Sequence, residues 1–259
     1  MPITPTPPDL HHRRVLITGA STGIGAAAAI AFAKAGAHVA VHYNASREQA
    51  EAVAARVREA GVDAHLVQGD VRTTGVVRRV VEEAAEKLGG LDVLVNNAGG
   101  LVKRVPVADI DDAFFDEIVD LNVRSMVMAC SAAVPIMRRG KRGNIINVTS
   151  IAARVGGGPG AAMYASSKGF VSTFTHGLAR ELAPDNIRVN AVSPGVILTP
   201  FHERYSTPAL LESMRATVPM GRLGAADECA GTFLYLASDA MSGYVTGQVV
   251  EVNGGQLMP

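Results

Sequence analysis

The chain has 259 residues, of which 48% are hydrophobic, and its 24 basic and 24 acidic side chains give a formal net charge of zero. This apolar content is sufficient for one substantial α/β core. The balanced charge excludes the strong electrostatic attraction on which nucleic-acid-binding and membrane-surface proteins rely, so neither kind of partner is expected.

Proline is concentrated at the start of the chain, with four prolines in the first twelve residues. We expect a flexible tail over residues 1–12, followed by a single catalytic domain over residues 13–259. No apolar segment typical of a signal peptide follows Met1, so a cytoplasmic location is expected.

Short apolar segments rich in β-branched residues alternate with longer helical segments along this domain. The alternation predicts an α/β fold of the Rossmann type, in which seven parallel strands form one doubly wound sheet and their carboxyl ends meet at a crevice. The strands are predicted near residues 14–18, 38–42, 64–68, 92–96, 144–149, 187–192 and 248–252.

The first predicted strand is followed by a glycine-rich turn, Gly19-Ala-Ser-Thr-Gly23-Ile-Gly25, and then by an Ala-rich helix. Gly19 permits a tight turn, Gly23 lets the backbone approach a pyrophosphate, and Gly25 allows the helix to pack closely on the strand. The helix N-terminus offers free N–H groups and the positive end of the helix dipole. The segment predicts a dinucleotide site, although a glycine-rich turn can also be purely structural.

The second strand ends in residues 43–47, Tyr-Asn-Ala-Ser-Arg, where a carboxylate would bind the adenosine ribose of NAD. No acidic residue is present there. A 2′-phosphate can instead be bound by Ser46, Arg47 and the hydroxyl of Ser21 or Thr22, which favours NADP(H) and leaves NAD(H) possible. The alternative is that Arg47 is a solvated charge in the first turn of a helix.

Tyr164 and Lys168 are four residues apart in an Ala-rich segment of helical type, so the phenol and the ammonium share one helix face. A cation one turn away favours the phenolate and would lower the pKa of the tyrosine toward neutral pH. Ser150 ends a β-branched strand and would bring its hydroxyl to the same pocket. Many such pairs only pack the ring while the lysine reaches water, so the interpretation depends on the rest of the chain.

The cysteines and histidines indicate no metal site. Cys130 and Cys229 lie far apart in predicted helices, where free buried thiols are expected. His38 and His42 share one face of a strand but have no third ligand nearby in the pattern.

Five motifs occur in order along the chain: Thr18-Gly19-x-x-x-Gly23-x-Gly25, Asn96-Asn97-Ala98-Gly99, Ser150, Tyr164-x-x-x-Lys168 and Pro194-Gly195-x-x-x-Thr199. In this order they resemble the motifs of the short-chain dehydrogenase/reductase family. The resemblance runs from about Arg14 to Gly255. It implies an oxidoreductase that moves a hydride between a nicotinamide and a carbonyl or secondary alcohol.

The resemblance implies a role for each of four polar residues. Tyr164 would be the general acid in carbonyl reduction and the general base in alcohol oxidation. Lys168 would lower the pKa of Tyr164 and hold the nicotinamide ribose, and Ser150 would hydrogen-bond the substrate oxygen. Asn122, in Asp-Leu-Asn-Val-Arg, would hold a water for proton relay to the lysine.

Cofactor contacts are predicted from the glycine-rich turn, the end of the second strand and the resemblance. Asp70 and Val71 would contact the adenine, and residues 97–99 the nicotinamide, while residues 194–199 would close over the carboxamide. The predicted cofactor set is Gly19, Ser21, Thr22, Gly23, Ile24, Gly25, Tyr43, Asn44, Ser46, Arg47, Asp70, Val71, Asn97, Ala98, Gly99, Tyr164, Lys168, Pro194, Gly195, Val196, Ile197 and Thr199.

Two features depart from the pattern of the family. Thr22 stands where many NADP-dependent members carry an arginine. The interval of 14 residues between Ser150 and Tyr164 is about one residue longer than usual, and the extra residue is expected in the glycine-rich segment 156–160. Its effect is expected on the wall of the pocket rather than on the chemistry.

The sequence leaves the substrate open between two classes, a 3-oxoacyl thioester and a sugar or polyol. A non-catalytic dinucleotide-sensing regulator is a third hypothesis. An acidic acyl carrier protein would find several basic residues on this chain, although those near 138–142 can equally be a basic helix end. They are Lys103, Arg104, Arg138, Arg139, Lys141 and Arg142.

Two further segments carry expectations about closure and assembly. Residues 199–221 interrupt the alternation and are predicted to form a lid, although a surface helical hairpin explains the same pattern. The last strand would be an open sheet edge, and the helices near 112–139 and 162–182 have broad apolar faces, so self-association is expected. The resemblance implies a homotetramer.

Overall fold

The computed structural model of the protein describes residues 7–259; the first half of the expected tail, residues 1–6, lies outside this range. The strands are β1 Arg14–Ile17, β2 His38–Tyr43, β3 Ala64–Gln68, β4 Val93–Asn96, β5 Gly143–Val148, β6 Ile187–Pro194, β7 Ile197–Leu198, β8 Gly224–Ala225 and β9 Val249–Val252. The helices are α1 Gly23–Lys34, α2 Arg47–Glu59, α3 Thr74–Leu88, α4 Asp112–Val119, α5 Ser125–Arg139, α6 Ala152–Val155, α7 Ala162–Leu182, α8 Pro200–Tyr205, α9 Pro208–Ala216, α10 Ala226–Ala237 and α11 Asp239–Ser242.

Seven of the strands form one parallel sheet in the order β3-β2-β1-β4-β5-β6-β9, and β7 pairs with β8 in a separate two-stranded ribbon. The predicted doubly wound sheet is confirmed, and the seven predicted strands lie within two residues of the observed bounds. Because β1 pairs with both β2 and β4, the strand order reverses there. A crevice opens outside the carboxyl ends of the strands at such a reversal.

The core lies on both faces of the sheet. Val15 and Ile17 of β1 contribute to an apolar cluster with α1, α2 and α10, whereas Leu16 contributes to the opposite cluster with α3, α5 and α7. Both faces are therefore buried, which explains the continuous apolar runs in the strands. Cys130 and Cys229 are buried free thiols, as predicted.

The segment before β1 is packed on the domain from residue 7 onward, so the flexible tail expected over residues 1–12 is wrong for its second half. Leu10 is fully buried. Asp9 accepts hydrogen bonds from the Ser238 hydroxyl at 2.6 Å and from the Asp239 backbone N–H at 2.7 Å. The carboxylate thus caps α11 and ties the start of the chain to its end.

One helical stretch, residues 112–139, is long and apolar enough to span a membrane, with 28 residues and a mean hydropathy of 1.2 over an 18-residue window. Half of its apolar window is buried inside the fold. The stretch packs against α3, α7 and β5. These contacts are those of a core helix on the face of the sheet that carries Leu16.

A buried ion pair joins β1 to the start of β4. The carboxylate of Asp92 accepts hydrogen bonds from the Arg14 side chain at 2.8 Å and from its backbone N–H at 3.0 Å. Burial alone would raise the pKa of Asp92, but the hydrogen bonds from Arg14 outweigh it and hold that pKa below its usual value. The folded state is therefore stabilised by the ionised carboxylate.

We expect Asp92→Ala to lower the free energy of unfolding by about 3 kcal/mol, because it leaves the Arg14 guanidinium without its buried partner. Thermal or urea denaturation measures the change. Asp63→Ala is the matched control, since the Asp63 side chain is 72% exposed and pairs, within residues 7–259, only with His38. Equal stability of the two variants would contradict the structural importance of the Arg14–Asp92 pair.

Candidate active site

A cavity of about 690 Å³ opens at the carboxyl ends of the strands. It contains most of the predicted site residues; Gly25, Arg47, Asn122 and Val196 are predicted residues that do not line it. The predicted residues that line it are Gly19, Ser21, Thr22, Gly23, Ile24, Tyr43, Asn44, Ser46, Asp70, Val71, Asn97, Ala98, Gly99, Ser150, Tyr164, Lys168, Pro194, Gly195, Ile197 and Thr199.

The glycine-rich turn has the backbone that its sequence predicts. Gly19 and Gly23 have φ angles of +63° and +57°, which residues with a Cβ rarely adopt. A Cβ added at Gly25 would lie 2.4 Å from the Gly19 carbonyl oxygen and 2.5 Å from the amide nitrogen of Asn97. Gly25 is therefore needed for close packing of α1 beneath the turn, which leaves a cradle fit for a pyrophosphate.

Thr18 and Asn97 hold the turn against the end of β4. The Thr18 hydroxyl accepts from the backbone N–H groups of Asn97 and Ala98, each at 3.0 Å. The Asn97 amide in return donates to the carbonyl oxygens of Thr18 and Gly19, each at 2.9 Å. Asn97 was predicted to line the nicotinamide side, and it also fixes the shape of the phosphate turn.

His42 supports the same turn from β2, a role that the sequence interpretation missed because it considered this residue only as a metal ligand and found no metal site. Its Nδ1 accepts from the Gly19 backbone N–H at 3.0 Å, so Nε2 carries the proton and donates to the Gly69 carbonyl at 3.0 Å. Burial lowers the pKa of His42, which favours this neutral form. In the sequence, the only indication that His42 supports the turn is its position near the end of a predicted strand.

Arg47 does not line the cavity in this structure, so its predicted cofactor contact stays a prediction. Its guanidinium is exposed and bonds Glu51 one helical turn away at 2.8 Å. Such i,i+4 pairs are favourable on a helix surface, so the solvated-charge alternative describes this arginine. Thr22, Asn44 and Ser46 remain as polar groups at this end of the cavity.

Arg72, which was not predicted, neutralises the acids that line the adenine end. It bonds the carboxylate of Asp70 at 2.6 Å and that of Glu117 at 3.1 Å. The hydrogen bond from Arg72 lowers the pKa of Asp70, so the carboxylate stays ionised as an acceptor. Asp70 and Val71 line the cavity where the adenine contacts were predicted.

Ser150, Tyr164 and Lys168 meet at the opposite end of the cavity. The Ser150 oxygen accepts from the Ala152 backbone N–H at 3.1 Å, which leaves its own proton free to be donated. Lys168 is buried and its Nζ donates to the Val148 carbonyl at 2.9 Å.

The electrostatics of this group differ from the expectation for Tyr164. Burial raises the pKa of Tyr164, and the interaction with the Ser150 hydroxyl only partly offsets the rise, so the predicted lowering by Lys168 is wrong for this structure. The physical reason is that a buried phenolate loses its hydration. Burial also lowers the pKa of Lys168 to about 8, so both of its protonation states are accessible near neutral pH.

Asn122 lies in a π-helical turn, Asp120–Arg124, between α4 and α5. Its side chain is buried and bonds both backbone groups of Gly100, donating to the carbonyl and accepting from the N–H, each at 2.9 Å. A Cβ added at Gly99 would lie 2.8 Å from Asn122 Oδ1 and 3.0 Å from Lys168 Nζ. Because residue 99 is a glycine, its backbone can lie close to both the Asn122 amide and the Lys168 ammonium.

The segment 199–221 contains α8 and α9, and several of its residues line the cavity on the side of Tyr164. The Phe201 ring lies 5.9 Å from the Tyr164 ring and 5.0 Å from the Tyr205 ring. The sequence interpretation assigned no role to these side chains, since the mixed composition of the segment selects none. Gly157 and Gly158 also line the cavity, so the longer Ser150-to-Tyr164 interval does form part of its wall.

The sequence and the fold are both similar to those of known proteins. Residues 19–256 match the family described as enoyl-(acyl carrier protein) reductase. The 3-oxoacyl-[acyl-carrier-protein] reductase FabG of Staphylococcus aureus is 38% identical over 246 residues, which are 95% of this chain and 98% of that protein.

Two solved structures with bound cofactors are also similar. The NADH-dependent reductase A1-R′, complexed with NAD, is 39% identical with a TM-score of 0.87, over 97% of this chain and 99% of that chain. A short-chain dehydrogenase of Burkholderia cenocepacia in complex with NADP is 34% identical with a TM-score of 0.87, over 95% of this chain and 98% of that chain.

We expect Gly99→Ala to lower kcat/KM about tenfold or more, because the added methyl group displaces Asn122 or Lys168. Steady-state kinetics with a fixed carbonyl substrate measures the loss. Gly100→Ala is the matched control, since a Cβ there would be in ordinary contact, 3.5 Å from Leu121. Equal activity of both variants would show that the close approach at Gly99 does not matter.

Proposed function

The chain belongs to the short-chain dehydrogenase/reductase family and is an NAD(P)-dependent oxidoreductase of carbonyl or CH–OH groups, and we propose that Ser150, Tyr164 and Lys168 perform its proton chemistry. The observation that supports this assignment is that all three side chains line one cavity together with the glycine-rich turn. All three of these polar side chains are present, which also favours an enzyme over a dinucleotide-sensing regulator.

Each polar side chain has a distinct task in this proposal. The bound nicotinamide supplies the hydride for reduction or accepts it in oxidation. Tyr164 donates its hydroxyl proton to the substrate oxygen during reduction and takes it back during oxidation. Ser150 donates a hydrogen bond to the same oxygen and stabilises the negative charge that develops there.

Lys168 and Asn122 support Tyr164 from the protein side. With a pKa of about 8, Lys168 can hold a proton or release it near neutral pH, and its ammonium form stabilises the phenolate. Asn122 fixes the backbone at Gly100 through two hydrogen bonds. We propose that it also orients the water through which a proton reaches Lys168.

We expect Tyr164→Phe to reduce turnover roughly a hundredfold or more, because the ring remains while the transferable proton is lost. Oxidation of NADPH by a panel of ketones, sugars and acetoacetyl thioesters provides the assay. Cofactor binding, followed by fluorescence titration, is the internal control and stays close to that of the unmodified protein. Turnover near the original rate would refute the role of Tyr164 as proton donor.

For the cofactor, we propose a preference for NADP(H) with NAD(H) also accepted. Support comes from the end of β2, where the cavity is lined by Asn44 and Ser46 and by the Thr22 hydroxyl, with no carboxylate at residues 43–47. The acids that do line this end, Asp70 and Glu117, are both bonded to Arg72. A 2′-phosphate would therefore meet no unpaired negative charge in this part of the cavity.

Replacement of Asn44 by Asp tests this preference with almost no change in side-chain volume. We expect the ratio of kcat/KM for NADPH to that for NADH to fall about tenfold or more, because the carboxylate repels the 2′-phosphate and accepts from a free 2′-hydroxyl. Asn44→Ser keeps the site neutral and should retain the original ratio. If the unmodified protein already favours NADH, the proposed preference is wrong.

For the substrate, we propose reduction of a carbonyl, with a 3-oxoacyl thioester as the candidate that the curated relatives support. FabG of Staphylococcus aureus is named for that reaction on acyl carrier protein. A sugar or polyol derivative is the second candidate, because polar side chains such as His202 and Tyr205 line the substrate end. We propose a cytoplasmic location for either reaction.

We also propose that the protein assembles as a homotetramer. Two exposed aromatic side chains support an interface through the helices: Phe115 on α4 is 48% exposed, and Phe170 on α7 is 44% exposed and stacks on Phe174. The edge strand β9 is only partly covered within one chain. Exposed aromatic surface and a free strand edge both favour burial against another subunit.

Light scattering should give a mass of about four times the 26.9 kDa of one chain. We expect Phe170→Glu to reduce this mass by placing a charge in the helical interface, whereas Phe170→Tyr should retain it. A single-chain mass for the unmodified protein at micromolar concentration, with full activity, would contradict assembly.

A further inference from the structure

A group of basic side chains lines the substrate end of the cavity, and the proton chemistry above does not use it. This group, the cationic patch, consists of Arg104, His202 and Arg204. Arg104 comes from the loop after β4, and the other two from α8. The three side chains thus approach the cavity from two sides.

The cationic patch has no negative partner among residues 7–259. Neither Arg104 nor Arg204 forms a salt bridge within this part of the chain, unlike Arg72, which binds both acids that line the cavity. The substrate end of the cavity is therefore positively charged.

Arg104 is held in place by the wall of the cavity. Its guanidinium donates to the Pro159 carbonyl at 3.0 Å, and a Cβ on Gly158 would lie 3.7 Å from its Nη1. Burial, and then the charge of Arg104, lower the pKa of His202, so this imidazole is mainly neutral near pH 7 and the positive charge of the patch comes from Arg104 and Arg204. A guanidinium that lines a cavity without a carboxylate partner is stabilised when an anion binds to it.

The cationic patch lies near the reacting groups. The Phe201 ring is 5.9 Å from the Tyr164 ring, and the His202 ring is 5.2 Å from the Phe201 ring. The His202 ring is thus no farther from the Tyr164 ring than the sum of these two distances, a span that a carboxylate on the substrate and an arginine side chain can bridge together. The phosphate of a pantetheine arm is many bonds farther from the carbonyl, so the short path favours an anionic group on the substrate itself.

We propose that the substrate is an oxo acid, or the corresponding hydroxy acid, whose carboxylate is bound by the cationic patch while Ser150 and Tyr164 bind its carbonyl oxygen. This inference rests on the proposed oxidoreductase function and narrows its substrate class. In reduction, the carbonyl carbon gains a hydride from NAD(P)H and the oxygen gains a proton from Tyr164. NAD(P)H becomes NAD(P)⁺, the oxo acid becomes a hydroxy acid, and the carboxylate remains unchanged.

The test compares matched pairs of carbonyl compounds that differ only in charge: acetoacetate with methyl acetoacetate, and levulinate with methyl levulinate. With the unmodified protein, kcat/KM is expected to be about tenfold or more higher for each acid than for its ester. Arg104→Gln and Arg204→Gln should raise KM for the acids about tenfold while leaving kcat and the values for the esters nearly unchanged.

Lys103→Gln is the matched control, because Lys103 is an exposed neighbour of Arg104 that lies over the Phe114 ring and does not line the cavity. This variant should retain the preference for acids. Equal kcat/KM for acids and esters, or equal losses on both in the arginine variants, would overturn the inference and leave the oxidoreductase function intact.

Thioesters distinguish a substrate carboxylate from a pantetheine phosphate. If acetoacetyl-CoA were strongly preferred over acetoacetyl-N-acetylcysteamine, and the arginine variants lost that preference, the cationic patch would bind phosphate and the oxo-acid assignment would be wrong. Absence of turnover with every carbonyl compound, despite NADPH binding, would contradict the proposed function itself and the inference with it.

Discussion

Helix α7 is held on strand β5 by hydrogen bonds between groups that are almost entirely buried. The Thr149 hydroxyl donates to the Lys168 backbone carbonyl at 2.7 Å, and the Asn147 amide donates to the Thr175 hydroxyl at 2.9 Å. Buried donors are costly to leave unpaired, so a slip of the helix along the strand would break several bonds at once. The relative positions of Ser150, Tyr164 and Lys168 depend on this one contact between helix and sheet.

The opposite end of the site depends on backbone groups. The glycine-rich turn is shaped by bonds from Thr18 and Asn97 on one side and from His42 on the other. Because His42 also bonds the Gly69 carbonyl, it links the turn to the segment that carries Asp70. The phosphate cradle and the adenine end are therefore positioned by one neutral imidazole, and they depend on each other.

The parts of the structure that the sequence predicts well are those that local patterns determine. The strands follow from apolar runs bounded by turns, and helix α7 has the bounds 162–182 that its apolar face predicted. Glycine positions were also informative, since a positive φ or a close approach leaves few alternatives at Gly19 or Gly25.

What the sequence could not predict depends on competition between distant groups. Arg47 bonds Glu51 rather than facing the cavity, and burial, which raises the pKa of the Tyr164 phenol, is stronger than the opposing hydrogen bond with Ser150. The segment around Asp9 was expected to be a flexible tail, but it is packed on the domain because the hydrogen-bond partners of Asp9 lie near the other end of the chain. The cationic patch likewise forms only because the loop after β4 and helix α8 line the same cavity.

The π-helical turn at Asp120–Arg124 determines how α4 is rotated about its axis relative to α5. Each residue of a helix turns the chain by about 100°, so deletion of one residue there would move Phe114 and Ile118 away from the small apolar cluster that they form beside Tyr164. The length of this turn is therefore constrained as tightly as the identity of Asn122 within it. Related chains that keep the same active-site packing should tolerate substitutions at the other positions of the turn but neither insertions nor deletions.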